Sequence, residues 1–271
     1  MDVRNVVQHL YEINAIKFGE FILKSGKKSP YYIDLRILSS HPEVLEEVGD
    51  SMAKMIEELP EKPTRLCGVP MAGLAIANVI SLKTRIPACY TRKEPIIYKD
   101  LAEHLSEKLS KKEERLKLAF RAPSMEDFDT GFREGYEYGL KRVLETIEEM
   151  SGFKTHGITR YVDGELKDGD KVMIVDDLIT TAKSKLEARN LIKLEAKRRN
   201  LKNVEVIGVC VLVDREQGGK EALEKEGLPL YSAITIREAA RILLDLGKLS
   251  QELYSTIIEY TERERKALGL D

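Results

Sequence analysis

The sequence predicts an α/β fold in which a mostly parallel central sheet is flanked by helices. Short apolar runs alternate along its 271 residues with longer amphipathic segments, which is the pattern of β-α-β units. Two of these runs, residues 172–175 and 204–213, are almost continuously apolar. Such runs are typical of strands that are buried on both faces of a parallel sheet.

The other elements are predicted from the same two periodicities. Further strands are predicted at residues 21–23, 31–35, 65–69, 88–91 and 230–234. Helices are predicted at residues 3–11, 42–57, 72–83, 183–199, 219–225, 236–244 and 251–266. Because strands and helices alternate to the end of the chain, we expect a single domain over residues 1–271.

Residues 95–153 interrupt this alternation. One helical stripe is formed by Leu101, Leu105, Leu109 and Leu116, and a second by Phe128, Phe132, Tyr136, Leu140, Val143 and Ile147. The sequence Ala122-Pro123-Ser124 ends the first predicted helix, and Ser124 with Asp127 is a capping-box pattern for the next. We therefore expect a helical hairpin inserted into the α/β domain.

Composition sets limits on partners and location. The formal net charge is −2, which argues against general attraction to nucleic acid or anionic membranes. No window reaches the roughly 18 apolar residues that a membrane span needs, and the N-terminus lacks the pattern of a signal peptide. A cytoplasmic protein is expected. Cys67, Cys89 and Cys210 lie in apolar runs and are too scattered for a metal cluster, so we expect buried free thiols.

Residues 171–184 carry the strongest functional signal. An apolar strand leads to Asp176 and Asp177, and a hydroxyl-rich run then leads into an amphipathic helix. Open α/β sheets bind ligands at the C-terminal ends of their strands. The amides of residues 180–184 would lie at a helix N-terminus, which suits a phosphate. The two carboxylates would then be placed to accept hydrogen bonds from sugar hydroxyls.

A capped helix with one solvated carboxylate is the alternative interpretation of this segment. For an isolated Asp-Asp pair the capped helix would be favoured. The fully apolar strand before Asp176 and the hydroxyl-rich turn after Asp177 favour the phosphate site instead.

Residues 172–184, VMIVDDLITTAKS, resemble the motif with which type I phosphoribosyltransferases bind 5-phosphoribosyl-1-pyrophosphate (PRPP). Residues 18–32, FGEFILKSGKKSPYY, are similar to the N-terminal signature of orotate phosphoribosyltransferases. The segments GVPMAG, YTRKE, KTHG and DREQG are similar to further parts of that family, in the same order. The resemblance implies the type I phosphoribosyltransferase fold with an N-terminal hood at residues 1–40, transfer of phosphoribosyl from PRPP to orotate, and a homodimer.

The resemblance also implies roles for residues that would bind PRPP. Asp176 and Asp177 would hold the ribose hydroxyls and support a cationic sugar carbon, with Lys154 as a third catalytic residue. The residues implied at the 5′-phosphate are Thr180, Thr181, Ala182, Lys183 and Ser184. Those implied at the pyrophosphate are Arg92, Lys93, Lys154 and His156, three of them cations that would neutralise the leaving group.

Lys24, Tyr32, Thr180 and Arg215 match the family positions that reach orotate. Arginine offers a bidentate fork to a carboxylate, and a tyrosine ring offers a stacking surface. Mg²⁺ is the implied cofactor, held mainly by oxygens of PRPP with no ligands directly from the protein. The sequence contains no His/Cys/Asp cluster with metal-ligand spacing, as this implies.

The sequence departs from the family pattern at four places. Ala182 replaces a glycine, and alanine costs about 1 kcal/mol if that position needs a positive φ. Lys183 replaces a hydroxyl residue, and Ala72 stands where some members have a lysine. The 95–153 insertion separates Arg92-Lys93 from Lys154-Thr155-His156, which are almost adjacent in the family.

Two other functions stay open at this stage. A related transferase with a neutral purine would leave the charges of Lys24 and Arg215 unpaired. A PRPP-sensing regulator could use the basic cluster of Lys108, Lys111, Lys112, Arg115 and Lys117, although interleaved glutamates indicate a solvated helix face.

Overall fold

The computed structural model describes residues 3–22, 26–92 and 160–270. Residues 1–92 together with 161–271 form one compact unit. The helical hairpin predicted at residues 95–153 lies outside the described residues. The single-domain organisation with its inserted hairpin therefore stays a prediction.

The N-terminal region forms its own small sheet. Helix α1 (Val3–Glu12) precedes strands β1 (Ile16–Ile22) and β2 (Lys28–Ile33), which pair antiparallel. The strand predicted at 31–35 ends instead at Ile33, because a 3₁₀ helix (Leu35–Ser40) follows. Its cap is Asp34, whose carboxylate accepts a hydrogen bond from the Arg36 amide at 3.3 Å.

The main sheet has six strands in the order β5-β4-β3-β6-β7-β8. They are β3 (Arg65–Gly68), β4 (Ala88–Thr91), β5 (Val162–Asp163), β6 (Lys171–Ile179), β7 (Glu205–Asp214) and β8 (Leu230–Thr235). Every neighbouring pair is parallel except β4 and β5. The prediction of a mostly parallel α/β sheet is confirmed. Strand β5 was not predicted, because two residues are too few to show a periodicity.

Helices cover both faces of this sheet. They are α2 (Pro42–Glu58), α3 (Ala72–Thr84), α4 (Lys183–Arg198), α5 (Gly219–Lys225), α6 (Ile236–Asp245) and α7 (Gln251–Ala267). Buried residues of α1, α2, α3, α6 and α7 share one apolar core, and those of α4 and α5 share the other. No helix within residues 3–22, 26–92 and 160–270 is long and apolar enough to cross a membrane. All three cysteines are buried and free, as predicted.

The central strand β6 is longer than predicted. The apolar run suggested a strand at 172–175, but β6 continues to Ile179 because residues 176–179 stay paired with Val211 to Asp214 of β7. Asp176 and Asp177 therefore lie within the strand and not in the turn after it. The carboxylates of Asp176 and Asp177 interrupt the apolar run, so hydrophobic periodicity does not reveal that the strand continues to Ile179.

Candidate active site

The parallel strands bring four separate chain segments to one edge of the sheet. Residues 69–73 follow β3, Arg92 follows β4, Thr180 follows β6 and Arg215 follows β7. The chain leaves β3 for β4 on one side and leaves β6 for β7 on the other, so the boundary between β3 and β6 is a topological switch point. Ligands bind open α/β sheets at such a point.

Asp176 and Asp177 lie at this switch point. Asp176 is buried, with 6% of its surface exposed, and its Oδ1 accepts a hydrogen bond from the Asp177 amide at 2.9 Å. The neighbouring α3 approaches it closely at Gly73. A Cβ atom at Gly73 would lie 2.6 Å from the Val175 carbonyl oxygen and 2.8 Å from the Asp176 Cα. Only glycine therefore allows α3 to begin beside the acid pair.

Lys185, in the first turn of α4, is the partner of Asp176. The Lys185 Nζ lies 2.7 Å from Asp176 Oδ2, and their side chains are only 4% and 8% exposed. The same ammonium donates to the carbonyl oxygen of Leu178 at 2.5 Å and to Ser184 Oγ at 3.3 Å. Three acceptors for three N–H donors leave this buried cation fully satisfied.

Asp177 lies beside Asp176 and has no cation of its own at ion-pair distance among the described residues. Burial, and then repulsion by the Asp176 carboxylate, raises the pKa of Asp177 to about 7. A hydrogen bond from the Leu178 amide at 2.8 Å and the charge of Lys185 act in the opposite direction. The acid pair thus contains one carboxylate with a built-in counter-ion and one that titrates near neutrality.

The turn after β6 leads directly into α4. Thr180 and Ser184 are partly exposed, Thr181 and Lys183 are exposed, and Ala182 is buried. The N-cap of α4 is Ala182, whose methyl group accepts no hydrogen bond. The Thr180 and Ser184 hydroxyls and the amides at the start of α4 are therefore grouped where an anionic oxygen would be stabilised.

Ala182 carries no backbone strain. Its φ is −74° and its ψ is −5°, which is a right-handed conformation open to any residue. The penalty considered for a positive φ at this position does not apply in the structure. Replacement of the family glycine by Ala182 is therefore compatible with an undistorted turn.

Arg215 lies at the end of β7 and contacts both the turn and the N-terminal sheet. Its amide donates to the Ile179 carbonyl oxygen at 3.1 Å, and its Nη1 donates to Thr180 Oγ1 at 3.4 Å. The guanidinium carbon lies 5.2 Å from the centroid of the Tyr31 ring. The predicted orotate-binding residues Thr180 and Arg215 are thus brought together.

The ring of Tyr31 packs against the guanidinium group of Arg215. Its ring is fully buried and meets the Tyr260 ring edge-on at a centroid distance of 5.7 Å. Burial raises the pKa of Tyr31 to about 12, against the influence of the Arg215 charge. Arg215 Nε is buried without a hydrogen-bond partner within the described parts of the chain, whereas the Tyr31 hydroxyl interacts with the Arg215 guanidinium. An unpartnered polar atom on this guanidinium indicates a place for a polar ligand group.

Tyr32, the residue predicted to stack on the base, points to the other side of β2. It is 38% exposed, and its ring lies 5.8 Å from the Phe21 ring. Arg36 is close enough to be influenced by Tyr32 and Asp177: hydrogen bonds to Asp34 first, then these smaller charges, raise the pKa of Arg36. Tyr32 and Asp177 thus both lie near enough to Arg36 to act on its charge.

The remaining predicted residues are only partly described. Arg92 follows β4, and its side chain lies 3.4 Å from the carboxylate of Asp163. Lys24, Lys93, Lys154 and His156 lie outside the described residues. Their predicted contacts with the base and the pyrophosphate stay predictions.

Sequence reasoning missed three residues of this site. Tyr31 and Gly73 lie in segments that were singled out, but they were given no role. Lys185 left a clearer signal, because it precedes Ala188 and Ile192 by three and seven residues on the buried face of α4. A charged residue on an otherwise apolar helical stripe indicates a buried partner.

Comparison with known proteins identifies the family. The family model of the phosphoribosyl transferase domain matches residues 35–228. The chain belongs to the phosphoribosyltransferases. This range includes the acid pair, the turn at 180–184 and Arg215.

Individual phosphoribosyltransferases extend the match. The orotate phosphoribosyltransferase of Pyrococcus furiosus is 30% identical over 86% of this chain and 92% of its own. The solved structure of Leishmania donovani UMP synthase is similar with a TM-score of 0.66 and 23% identity, over 97% of this chain and 43% of that chain. Mycobacterium tuberculosis orotate phosphoribosyltransferase, solved in complex with PRPP, has a TM-score of 0.53 and 18% identity. The match covers 88% of this chain and 99% of that chain. These structures have the type I phosphoribosyltransferase fold.

Proposed function

We propose that this protein transfers the 5-phosphoribosyl group of PRPP to orotate, giving orotidine 5′-monophosphate and pyrophosphate. The observation that carries the proposal is the convergence of Asp177, the 180–184 turn and Arg215 at one switch point of the sheet. Curated relatives such as the Pyrococcus furiosus protein bear the name of this activity. The activity is one step of pyrimidine biosynthesis.

PRPP would be bound at the turn after β6. Its 5′-phosphate is a dianion, and the amides at residues 180–184 with the Thr180 and Ser184 hydroxyls offer several donors to it. The exposed Lys183 adds a cation at the same turn. Asp176 and Asp177, which precede this turn near the end of β6, would face the ribose hydroxyls.

Orotate would be bound by Arg215. Its carboxylate can accept two parallel hydrogen bonds from a guanidinium, which is the geometry that arginine favours. The Nε of Arg215 is a buried donor that has no partner among the described residues. A base without a carboxylate would leave it unsatisfied, at a cost of about 1–3 kcal/mol.

The chemical step needs little covalent work from the protein. The bond between the ribose C1 and the pyrophosphate oxygen breaks, and its electron pair leaves with pyrophosphate. The orotate nitrogen supplies the pair for the new bond to C1 and loses its proton to solvent. An ionised Asp177 would stabilise the positive charge that develops on the ribose ring, while Arg215 and the turn hold the two reactants in line.

Mg²⁺ is proposed as the cofactor, carried by PRPP. Within residues 3–22, 26–92 and 160–270 no group of three or more His, Cys, Asp or Glu side chains is placed to hold a metal. The ligands of this ion are proposed to come mainly from pyrophosphate and ribose oxygens. When bound, it would offset the charge of the pyrophosphate.

The other residues and the assembly are also proposals. Arg92, Lys93, Lys154 and His156 are proposed to meet the pyrophosphate, and Lys24 and Tyr32 the base, on the strength of their match to the family's motifs. A homodimer is proposed on the same basis. Sedimentation analysis of the purified protein would give the mass directly.

The function is tested by following the loss of orotate absorbance with PRPP and Mg²⁺. The wild-type protein is expected to consume orotate only when both are present. Asp177→Asn and Lys154→Ala are each expected to lower kcat/KM by about two to four orders of magnitude, since each removes a group that stabilises transition-state charge.

Uracil and adenine serve as the control bases, because neither has a carboxylate for Arg215. Turnover of uracil or adenine at a rate equal to that of orotate would reject orotate specificity. Absence of turnover with every base, in a protein that binds PRPP, would favour a regulatory protein over an enzyme.

A further inference from the structure

Lys185 forms a closed set of contacts beneath the turn that is proposed to bind the 5′-phosphate. Its ammonium meets the Asp176 carboxylate at 2.7 Å, the Leu178 carbonyl oxygen at 2.5 Å and the Ser184 hydroxyl at 3.3 Å. Asp176 and Leu178 lie in β6, and Ser184 lies in the first turn of α4. One buried cation therefore ties together the start and the end of the loop.

Charge explains why a cation is needed at this place. Asp176 and Asp177 are adjacent carboxylates, and a phosphate dianion bound at residues 180–184 would add two further negative charges nearby. In a partly buried site such repulsion is weakly screened. Of the cations near the acids, Arg36 is exposed and paired with Asp34, with a distance of 2.7 Å from its Nε to Asp34 Oδ1. Lys185 is the buried one.

We propose that Lys185 is a positioning residue for PRPP, which neutralises Asp176 and fixes the loop so that Asp177 alone presents its charge to the ribose. This inference rests on the proposal that PRPP is the ligand. Lys185 itself would not touch PRPP, because its three donors are already directed at protein acceptors. Its effect would reach the ligand through Asp176, Asp177 and the Ser184 hydroxyl.

A distinctive consequence concerns the ionisation of Asp177. Among the described residues, the charged groups near Asp177 are Asp176 on its own strand, Lys185 on α4 and Arg36 on the 3₁₀ helix. Asp176 raises the pKa of Asp177, and Lys185 lowers it. Removing Lys185 is therefore expected to move the ionisation of Asp177 to higher pH, and a merely structural lysine would not have that effect.

The experiment measures PRPP affinity by calorimetry, with Mg²⁺ present, from pH 5.5 to 9. Lys185→Met is expected to weaken PRPP binding about tenfold at pH 7. The pH at which PRPP affinity has fallen halfway on the acid side, here called the midpoint, is expected to rise by about one pH unit. Lys193→Met, the same substitution at an exposed position of the same helix, is the matched control and is expected to leave both unchanged. The titration of PRPP's own phosphate is common to all variants and cancels in the comparison.

A second pair of variants keeps the test independent of folding. Asp176→Asn with Lys185→Met removes both charges of the buried ion pair, so it is expected to fold even if Lys185→Met does not. Its midpoint is expected to lie above that of Asp176→Asn alone, because only the single variant retains the cation beside Asp177. Equal midpoints in this pair, or an unmoved midpoint in Lys185→Met, would overturn the role of Lys185. Failure of the wild type to bind PRPP would instead overturn the proposed function.

Discussion

At the scale of single residues, Asp177 is expected to cost stability in exchange for activity. Its pKa is raised to about 7 in the folded protein, mainly by burial. A carboxyl group with a raised pKa favours the folded state while it is protonated. Its unfavourable contribution therefore grows as pH rises from about 4 to 7 and is complete above pH 7. Residues at functional sites often carry such a cost.

Asp177→Asn is accordingly expected to stabilise the protein at pH 8 while it inactivates the enzyme. The neutral amide removes the buried charge, and a gain of about 1–2 kcal/mol would raise the Tm by roughly 2–6 °C. Thermal unfolding at pH 8 and pH 5 checks the sign, because the gain should shrink at pH 5. Asp245→Asn, at an exposed position, is the control. An equal gain at both pH values would contradict the assigned cause.

The activity of the wild type is expected to fall as pH drops through about 7. Only ionised Asp177 can stabilise a cationic ribose, and its pKa is raised to about 7. A pH profile of kcat/KM for PRPP between pH 5.5 and 9 measures this directly. An acid limb centred near pH 4, the usual range of a carboxyl group, would show that Asp177 does not supply the ionising group.

Arg215→Lys is expected to affect orotate more than PRPP. A lysine keeps the charge but loses both the bidentate fork and the stacking on Tyr31, whose ring centroid lies 5.2 Å from the guanidinium carbon. The KM for orotate should rise about tenfold to a hundredfold, corresponding to about 1.5–3 kcal/mol, with a smaller change for PRPP. Arg263→Lys is the control, since Arg263 stacks on the neighbouring Tyr260 ring. Equal changes in both KM values would argue against a role in base recognition.

Much of the site could be predicted from the sequence because the chemistry is concentrated in short contiguous motifs. Asp176, Asp177 and the 180–184 turn are adjacent in the chain, and their placement follows from one strand and one helix. Tyr31 and Arg215 are 184 positions apart, and their stacking arises only when the N-terminal sheet packs over the end of β7. The contact of Tyr31 with Arg215 was not predicted, because alternation along β2 cannot tell which face meets a distant arginine.

At the scale of elements, helix α4 holds the short strand β5 through Glu195. This side chain is fully buried and accepts a hydrogen bond from the Tyr161 amide at 2.9 Å. Arg198 and Arg199 pair with its carboxylate, and Arg199 Nη2 also donates to the carbonyl oxygens of Val162 at 3.3 Å and Gly164 at 3.2 Å. Glu195 thus organises the point where the described chain resumes after residue 159.

Burial alone would raise the pKa of Glu195, but hydrogen bonds from Arg198, the Tyr161 amide and Arg199 outweigh it and lower the value to about 2. A carboxyl with a lowered pKa stabilises the folded state above its unfolded pKa. The contribution is therefore present above about pH 4.5 and is lost as pH falls towards 2. It is expected to amount to about 2–3 kcal/mol.

Glu195→Gln is expected to destabilise the protein by about 2 kcal/mol at pH 7 and by roughly half of that at pH 3. The amide oxygen can still accept from the Tyr161 amide, but it cannot pair with two guanidinium groups. Urea unfolding at the two pH values measures the difference. Glu187→Gln, at an exposed position of the same helix, is the control. A loss that is the same at pH 7 and pH 3 would contradict the ion-pair explanation.

The elements themselves were predicted best where one physical signal dominates. The seven helices predicted outside residues 95–153 match α1 to α7 to within one residue at each end. Strand β6 was predicted too short because Asp176 and Asp177 interrupt its apolar run, and β5 was missed because its two residues are held by Glu195 and β4 and not by their own pattern. Strands were thus harder to delimit than helices.

At the scale of the whole molecule, the described residues on either side of residues 93–159 pair with each other. Strands β4 and β5 pair antiparallel, with Tyr90 opposite Asp163 and Thr91 opposite Val162. The Arg92 amide donates to the Tyr161 carbonyl oxygen at 3.0 Å. The two ends that flank residues 93–159 are therefore held side by side, as at the base of a β-hairpin.

Replacing residues 95–153 by a flexible linker of about six Gly and Ser residues is therefore expected to leave the described unit folded. Closing a shorter loop costs less conformational entropy, and the pairing of β4 with β5, together with the Glu195 contacts, already fixes its ends. Circular dichroism should show a cooperative transition with a Tm within a few degrees of the wild type. Calorimetry should still detect PRPP binding, since Asp177, the 180–184 turn and Lys185 lie outside the replaced segment. A shortened chain that does not unfold cooperatively would mean that residues 95–153 supply part of the stability of the fold, against the prediction that they are an insertion.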